Sequence, residues 1–477
     1  MNLPKFYFRL CIAFIAIAYA GCRVPMPVAT PPLKTMPAAW NNSTDSTNTA
    51  TIQWRDFFTD KYLDALIDTA LRNNQELSIL MQEIEMTKND IRAKQGLLLP
   101  KVEGVAGIGV EKVGRYTSQG AGDATTDIKP GKEMPEWLPD YRIGAYADWE
   151  IDIWKKLRNS KKAAITRYLA TVEGKNFAIT NIVAEIANSY YELLALDNQL
   201  DIVRDFIQLQ KNALEIVRVQ KEAARVNELA VKKFEAEVLN SQSMEYDLLQ
   251  KIKEAENRIN FLLGRYPQPI ARDKSSFIDA TPVQVHAGVP SQVLKNRPDI
   301  QQAELELSAA ELDVKVARAE FYPSFNIAAG VGFQAFNPSY LIKMPESLLV
   351  SLVGDLAGPL INKSAIKAEF LNANAKQLQA LYNYQKIILN AYIEVSNDLS
   401  NLSNSEQKYN LKSKEVATLT NAIDISNDLF KSARADYLEI LMTQRDALAS
   451  KLELIETKLQ QFNSVTNIYH ALGGGWN

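Results

Sequence analysis

The sequence predicts a mainly α-helical protein that also contributes membrane β-strands and has an internal two-fold repeat. Residues 154–264 recur 209 positions later as residues 363–473. Each copy carries an apolar residue at every seventh position, which is typical of supercoiled helices. After Pro100 and again after Pro323, apolar side chains alternate with small or polar ones, which is typical of strands. These three observations predict a pseudo-symmetric body with two long helical segments and two hairpins.

The repeat is a duplicated half and not an array of short units, because only two copies are present. We expect the first repeat to span about residues 62–264 and the second about residues 291–473. The anchors that survive at the common offset are Asn181 and Asn390, Glu185 and Glu394, Leu229 and Leu438, and Leu263-Gly264 and Leu472-Gly473.

The helical segments are unusually long, since no proline and almost no glycine interrupts residues 154–263 or 363–472. At about 1.5 Å per residue, a helix of about 60 residues would be about 90 Å long. A plain dimeric coiled coil would show the same heptads, so the strands must decide between the two interpretations.

The N-terminus predicts export and lipidation. Lys5 and Arg9 precede a short apolar stretch, and small residues lead to Cys22. This pattern indicates a lipoprotein signal peptide over residues 1–21, after which Cys22 would carry covalent lipid. The only other cysteine, Cys11, lies in the signal, so we expect neither a disulfide nor a metal or other cofactor.

Residues 22–51 are rich in Pro, Ser, Thr and Asn. Such a composition predicts an extended tether that buries no core. We expect the ordered body to span residues 52–477.

Four strands are expected, at about residues 101–113, 141–151, 324–336 and 347–357. The first hairpin also carries a polar, turn-rich segment, Gly114 to Pro139, which we expect to be an outward-facing loop.

The strands have the length and alternation of a membrane barrel wall, apolar toward lipid and polar toward the lumen. A soluble, half-buried hairpin would show the same alternation. Four strands cannot close a barrel, and lipid does not tolerate open sheet edges. Several copies of the chain are therefore expected to share one barrel.

Composition and motifs exclude several functional classes. The formal net charge of −3 and the pI near 5.8 give no basic surface for nucleic acid. His286 and His470 have no ligand-spaced partner and are expected to be structural or surface residues. No phosphate loop, nucleophile elbow or metal motif is present, so we do not expect an enzyme.

Three motifs carry a resemblance to a known family. Residues 296–304 read NRPDIQQAE, residues 152–158 read DIWKKLR, and residues 317–323 read ARAEFYP. Together they resemble the outer-membrane efflux proteins, the TolC-like channels, and most closely the lipoprotein branch that works with RND-type pumps. The likeness covers essentially everything from Trp54 to Gly474.

The resemblance implies a homotrimer in the outer membrane of a Gram-negative bacterium. Each protomer would give four strands to a shared twelve-stranded β-barrel and its long helices to an α-barrel in the periplasm. The implied function is the outer-membrane channel of a tripartite efflux system, a passive exit duct for small toxic compounds or ions. Its implied partners are outer-membrane lipid, a periplasmic adaptor and an inner-membrane RND-type transporter.

The sequence departs from the family pattern at its glycines. Ala224 and Ala433 stand where the family's helix turns usually have Gly, and Lys155 replaces the Gly of the DLWGR motif. Because a turn with positive φ strains alanine, we expect either a different turn geometry or a left-handed residue elsewhere.

The two predicted helix turns carry the candidate functional residues. In a trimer each side chain would appear three times around the axis, where charge can hold a constriction shut and favour cations. We hypothesise a periplasmic gate and adaptor-docking rim made of Arg225, Asn227, Glu228, Arg434, Asp436, Tyr437 and Glu439. Simple solvated helix ends are the alternative for each residue.

Two other functions stay open at this point. The exit channel of a type I protein-secretion system would share the fold. A lipid-anchored periplasmic coiled-coil scaffold would explain the heptads and Cys22 but not the strands.

Overall fold

A computed structural model of the chain describes residues 25–29, 31–32, 37–40, 47–358, 363–432 and 434–476. The expected signal peptide and Cys22 lie outside these residues. The chain divides into two compact units. The first comprises residues 1–31, 85–168 and 305–381, and the second comprises residues 32–84, 169–304 and 382–477.

Helices dominate the chain, and the strands fall into two groups. The α-helices are α1 (Trp54–Phe57), α2 (Lys61–Asn73), α3 (Gln75–Gly96), α4 (Ser118–Asp123), α5 (Lys156–Glu222), α6 (Glu228–Leu262), α7 (Ser276–Asp279), α8 (Pro290–Asn296), α9 (Pro298–Ala319), α10 (Ser364–Lys431) and α11 (Tyr437–Ala471). The strands are β1 (Lys101–Glu111), β2 (Asp127–Lys129), β3 (Lys132–Glu133), β4 (Leu138–Ile151), β5 (Ser324–Ala335) and β6 (Leu348–Ala357). Short 3-10 helices cover Thr49–Thr51 and Pro338–Tyr340.

The long helices end where the sequence supplies a break. α5 has 67 residues and α10 has 68, and each is followed by a short turn and a 35-residue helix. Pro100 and Pro323 follow the shorter helices α3 and α9, since proline cannot continue a helix. None of the described helices combines the length and apolarity that crossing a bilayer requires.

The first unit contains a four-stranded antiparallel sheet with the strand order β1-β4-β5-β6. The strands start within three residues of the expected positions. Because the sheet is open, β1 and β6 each have one edge that pairs with no other strand among the described residues.

One face of this sheet is apolar on all four strands. The register places Ala106 opposite Ile143, Ile143 opposite Phe333, and Phe333 opposite Leu348. This face is uncovered, since Ile108 is 83% exposed and Leu352 is 76% exposed. The opposite face is mixed. It carries Glu103, Arg142, Asp148, Asn326, Ser351 and Asp355 among small residues and a few larger ones, namely Val105, Tyr146, Leu349 and Val353. The alternation in the sequence therefore corresponds to one continuous apolar surface.

The turn that joins β4 to α5 explains one departure from the family pattern. The Asp152 carboxylate accepts hydrogen bonds from the backbone N–H groups of Leu157 (3.0 Å) and Arg158 (2.9 Å) and so caps α5. Lys155 adopts a left-handed conformation with φ of +61°. The lysine thus keeps the backbone geometry that a glycine would adopt more readily.

The segment expected to be an outward-facing loop contains some regular structure. α4 lies within it, and β2 pairs with β3 as a short hairpin that turns at Gly131, where φ is +77°. Arg115 pairs with Glu133 at 3.0 Å and Lys112 with Glu136 at 2.9 Å.

The core of the second unit forms on one side of α11. Tyr469 stacks on Phe57 with ring centroids 4.0 Å apart, and its hydroxyl donates to the carbonyl of Ile52 at 2.6 Å. Phe462 stacks on Tyr191 at 4.6 Å. Burial of these aromatic rings, together with the aliphatic side chains around them, stabilises this region.

The expected tether is in contact with the body, which corrects the expectation that it buries no core. Trp40 is 4% exposed and stacks on Tyr392 with centroids 4.6 Å apart. Asn48 pairs with Ala287 in an isolated β-bridge. Composition predicted an extended segment, but one large aromatic side chain is enough to dock it.

Candidate functional site

The first helix turn, between α5 and α6, is a tight left-handed turn. Ala224 has φ of +54°, and the Arg225 N–H donates to the carbonyl of Gln220 at 2.9 Å. This bond closes the last turn of α5 in the way glycine-ended helices usually do. The expectation of a different turn geometry or of a left-handed residue elsewhere is therefore wrong: Ala224 itself is the left-handed residue, despite the cost of placing a Cβ there.

The second turn, between α10 and α11, makes the equivalent bond. The Arg434 N–H donates to the carbonyl of Leu429 at 2.8 Å, and both residues lie 209 positions after their counterparts in the first turn. Ala433, the other alanine at a family glycine position, lies outside the described residues. The repeat seen in the sequence thus extends to the hydrogen bonds at its turns.

Apolar packing brings both turns together at one end of the second unit. A single cluster contains residues from all four helices: Leu214, Val217, Ala230, Val231, Phe234, Val238, Phe430, Ile440 and Leu441. The seven residues of the hypothesised gate flank this cluster. Tyr437 packs against it and is half-buried, whereas the other six are exposed.

The seven candidates do different work. Asn227 is the N-cap of α6, because its side-chain oxygen accepts from the Ala230 N–H at 3.1 Å. Glu228 pairs with Lys221 across the first turn. Among the described residues, the side chains of Arg434 and Asp436 have no hydrogen-bond or ion-pair partner within the chain. Those two charges are thus free to act on another molecule or another copy.

A buried network that the sequence did not predict lies at the opening of the second repeat. Arg297 is 5% exposed and binds the Asp299 carboxylate with two nitrogens, at 3.0 and 2.8 Å. It also donates to Glu394 at 2.7 Å and to the carbonyl of Ala471 at 2.8 Å. The motif that marked the family therefore has a structural role: it ties α9 to α10 and to the end of α11.

His470 extends this network to the first repeat. Its Nε2 atom lies 2.6 Å from Asn181 Oδ1, and its Nδ1 atom lies 3.6 Å from Glu394 Oε1. Burial alone would raise the pKa of Glu394, but His470 and Arg297 outweigh it and lower that pKa to about 2. His470 was expected to be structural or superficial, and in the structure it links helices.

Next to this network is a cavity of about 1130 Å³ that is rich in amides, which we call the amide cavity. α5, α6, α10 and α11 line it. Its polar lining residues are Asn181, Glu185, Asn188, Ser189, Glu192, Gln199, Lys251, Arg258, Glu394, Asp398, Glu456, Asn463, Asn467 and His470. Burial, and then the nearby charge of Glu394, raise the pKa of Asp398 to about 6.

Comparison with known proteins places these features in a family. A family model described as outer membrane efflux protein matches residues 66–265 and 289–474. The pyoverdine export outer membrane protein OpmQ of Pseudomonas aeruginosa is 26% identical over 425 residues, which cover 89% of this chain and 87% of that protein. The cation efflux system protein CusC of Escherichia coli is 25% identical over 467 residues, which cover 97% of each chain.

A solved structure supports the fold. A membrane protein from Pseudomonas aeruginosa superimposes with a TM-score of 0.85 at 21% identity, and the match covers 95% of this chain and 100% of that chain. Together with the family model, this match confirms the mainly helical, TolC-like fold that the sequence predicted.

Proposed function

The chain belongs to the outer membrane efflux protein family, and we propose that it forms a homotrimeric exit duct in the outer membrane of a Gram-negative bacterium. Three copies would each contribute β1, β4, β5 and β6 to one twelve-stranded barrel. The four long helices of each copy would form an α-barrel in the periplasm. The duct is passive, because the inner-membrane transporter would supply the energy and this protein would have only to open.

The open sheet carries this proposal. An uncovered apolar face fits lipid, yet the free backbone groups on the outer edges of β1 and β6 could not be left unpaired in a bilayer. Joining β1 of one copy to β6 of the next pairs both edges. A coiled-coil scaffold would leave this sheet without a purpose.

The partners follow from the same assignment. A periplasmic adaptor and an inner-membrane RND-type transporter would supply the substrate and the energy. OpmQ is named for pyoverdine export and CusC for cation efflux, although their identities to this chain are nearly equal. This similarity supports a duct whose cargo, small toxic compounds or ions, is chosen by the pump.

The anchor is a separate part of the proposal. Cleavage before Cys22 would leave a lipidated N-terminus in the outer membrane, and Trp40 would dock the following segment on the body. Metabolic labelling with a radioactive fatty acid tests this anchor. Label should enter the wild-type protein and be absent from the Cys22→Ser variant.

Disulfide crosslinking across the sheet edges tests the trimer. A cysteine at Val105 on β1 is combined in turn with one at Leu349, Ser351 or Val353 on β6. At least one pair should give dimers and trimers on oxidation but no larger species, because three sheets close a ring. Cysteines at Ala147 and Ala329, which pair within one chain, are the matched control and should crosslink only inside the monomer.

The behaviour of the purified protein is a second test of the duct. We expect unboiled samples to migrate as trimers and to conduct ions in planar bilayers. A stable water-soluble monomer, with β1 and β6 crosslinking to nothing, would exclude the duct.

A further inference from the structure

The amide cavity presents more hydrogen-bond acceptors than the chain itself uses. The side-chain oxygens of Asn188 and Asn463 are buried and receive no hydrogen bond within the described chain. Glu185 and Asp398 also line the cavity, and neither carboxylate has an ion-pair partner among the described residues. Buried acceptors without donors are costly, so a donor that binds there would be favoured.

Comparison of the two repeats shows that one of these carboxylates lacks the partners that its counterpart has. Glu185 is the counterpart of Glu394 at the 209-residue offset. In the second repeat, Arg297 and His470 hold Glu394. In the first repeat, Phe261 occupies the position that corresponds to His470. Asn74 there makes the hydrogen bond to a backbone carbonyl that Arg297 makes in the second repeat. The same carboxylate is therefore neutralised in the second repeat and left free in the first.

The side chains around the cavity carry more negative than positive charge. Glu185, Glu192, Glu394, Asp398 and Glu456 face Lys251, Arg258 and His470. Arg258 pairs with Glu192 at 2.5 Å and makes no ion pair with Glu185 among the described residues. The remaining potential is negative, which attracts cations.

The cavity also lies on the side of the helices that cargo would meet. On α11, Phe462, Val465 and Tyr469 pack against the core on one side, whereas Asn463, Asn467 and His470 line the cavity on the other. Segments such as α1 and α2 cover the first side. In the proposed α-barrel, the covered side faces outward and the cavity opens to the lumen.

From these observations we propose that the amide cavity is a lumenal subsite for organic cations that carry several N–H donors, such as linear polyamines. This inference rests on the proposed duct, because only there does cargo pass the cavity. Ammonium groups would pair with Glu185 and Asp398 and, once the Asn188 and Asn463 side chains turn toward the cavity, would donate to their oxygens. A chelated metal ion fits less well, since the described residues contain no group of three or more His, Cys, Asp or Glu side chains placed to hold one.

Calorimetric titration of the detergent-solubilised, full-length protein with spermine at low salt tests the subsite. Wild-type protein should bind spermine saturably, and the Glu185→Gln/Asp398→Asn double variant should bind it at least about tenfold more weakly. The matched control is Asp205→Asn/Asp424→Asn, which removes the same charge from exposed positions of α5 and α10 outside the cavity. The control should keep wild-type affinity.

Magnesium separates recognition of N–H donors from general attraction of cations. Mg²⁺ offers no N–H group and keeps its water, so it should not displace spermine at equal concentration. Equal binding of Mg²⁺, or equal losses in the two double variants, would overturn the subsite.

The result can be read independently of the duct. Trimers on unboiled gels show that each variant is folded. Wild-type protein that forms trimers and conducts but binds spermine no better than the double variant would refute the subsite alone. Wild-type protein without trimers or conductance would refute the duct.

Discussion

Asn74 and Arg297 make the same hydrogen bond in the two repeats. The Asn74 side-chain amide donates to the carbonyl of Leu262 at 2.9 Å, and the Arg297 guanidinium donates to the carbonyl of Ala471 at 2.8 Å. The two carbonyls lie 209 residues apart, each beside a left-handed glycine, Gly264 or Gly473. The duplicated halves therefore share a junction, but Arg297 also binds Glu394, whereas Asn74 makes no described bond to Glu185, the counterpart of Glu394.

Replacing Arg297 should be far more damaging than replacing Asn74. Arg297→Ala leaves Asp299 and Glu394 without their buried partner, for which we expect a loss of about 3–5 kcal/mol in the free energy of unfolding. Asn74→Ala removes the cap that the Asn74 side-chain oxygen provides to the N–H groups of Glu76 and Leu77 at the start of α3, together with the bond to Leu262, and should cost about 1–2 kcal/mol. Thermal unfolding of the purified protein in detergent measures both.

Arg297→Lys is the informative control. Lysine keeps the charge but not the planar fork that binds Asp299 with two nitrogens, so its stability should fall between wild type and Arg297→Ala. Equal losses for Arg297→Ala and Asn74→Ala would mean that the contacts with Asp299 and Glu394 add nothing.

Sequence periodicity predicted the strands and their faces, because alternation along each strand also fixes which residues share a face once the strands pair. It could not predict the Arg297 network. The partners Glu394 and Ala471 lie 97 and 174 residues away, and no local pattern encodes such a contact. Docking of Trp40 was missed for a related reason, since average composition hides a single aromatic side chain.

The turns show a different case, in which the sequence marked the unusual positions but the expectation drawn from them, a different turn geometry or a left-handed residue elsewhere, was wrong. Ala224 and Lys155 replace family glycines, and they are the only non-glycine residues with positive φ in the described part of the chain. The departure in sequence was not accompanied by a departure in backbone geometry.

Ala224→Gly should therefore stabilise the first turn by about 1 kcal/mol, because glycine adopts φ of +54° without a Cβ penalty. Slower hydrogen exchange of the amides in residues 220–230 would report this. The neighbouring Ala223→Gly variant is the control. Its backbone N–H still donates helically to Val219 at 3.1 Å, so glycine there should speed exchange. Faster exchange in both variants would contradict the strain.

Substitutions at the two helix turns should distinguish residues that cap a helix from residues that gate the channel. Asn227→Ala should lower the stability of α6 by about 1 kcal/mol, and Asn227→Asp should restore it, since aspartate also caps a helix.

Arg434→Ala and Asp436→Ala should leave stability unchanged but raise single-channel conductance in planar bilayers, because their side chains have no described partner within the chain. Wild-type conductance and gating in both variants would remove the gate assignment.

The pair Glu394 and Asp398 should give stability effects of opposite sign. Glu394, whose pKa is lowered to about 2, stabilises the fold above its unfolded value of 4.5, and this contribution is lost as pH falls toward 2. Asp398, whose pKa is raised to about 6, destabilises the fold as pH rises from 3.8 through 6.

Asp398→Asn should thus stabilise the protein at pH 7.5 by about 1–2 kcal/mol after allowing for solvent screening, and should have little effect at pH 4. Glu394→Gln should destabilise it at pH 7.5. Melting temperatures of both variants at the two pH values test this, and a gain for Asp398→Asn that is as large at pH 4 as at pH 7.5 would show that ionisation is not its cause.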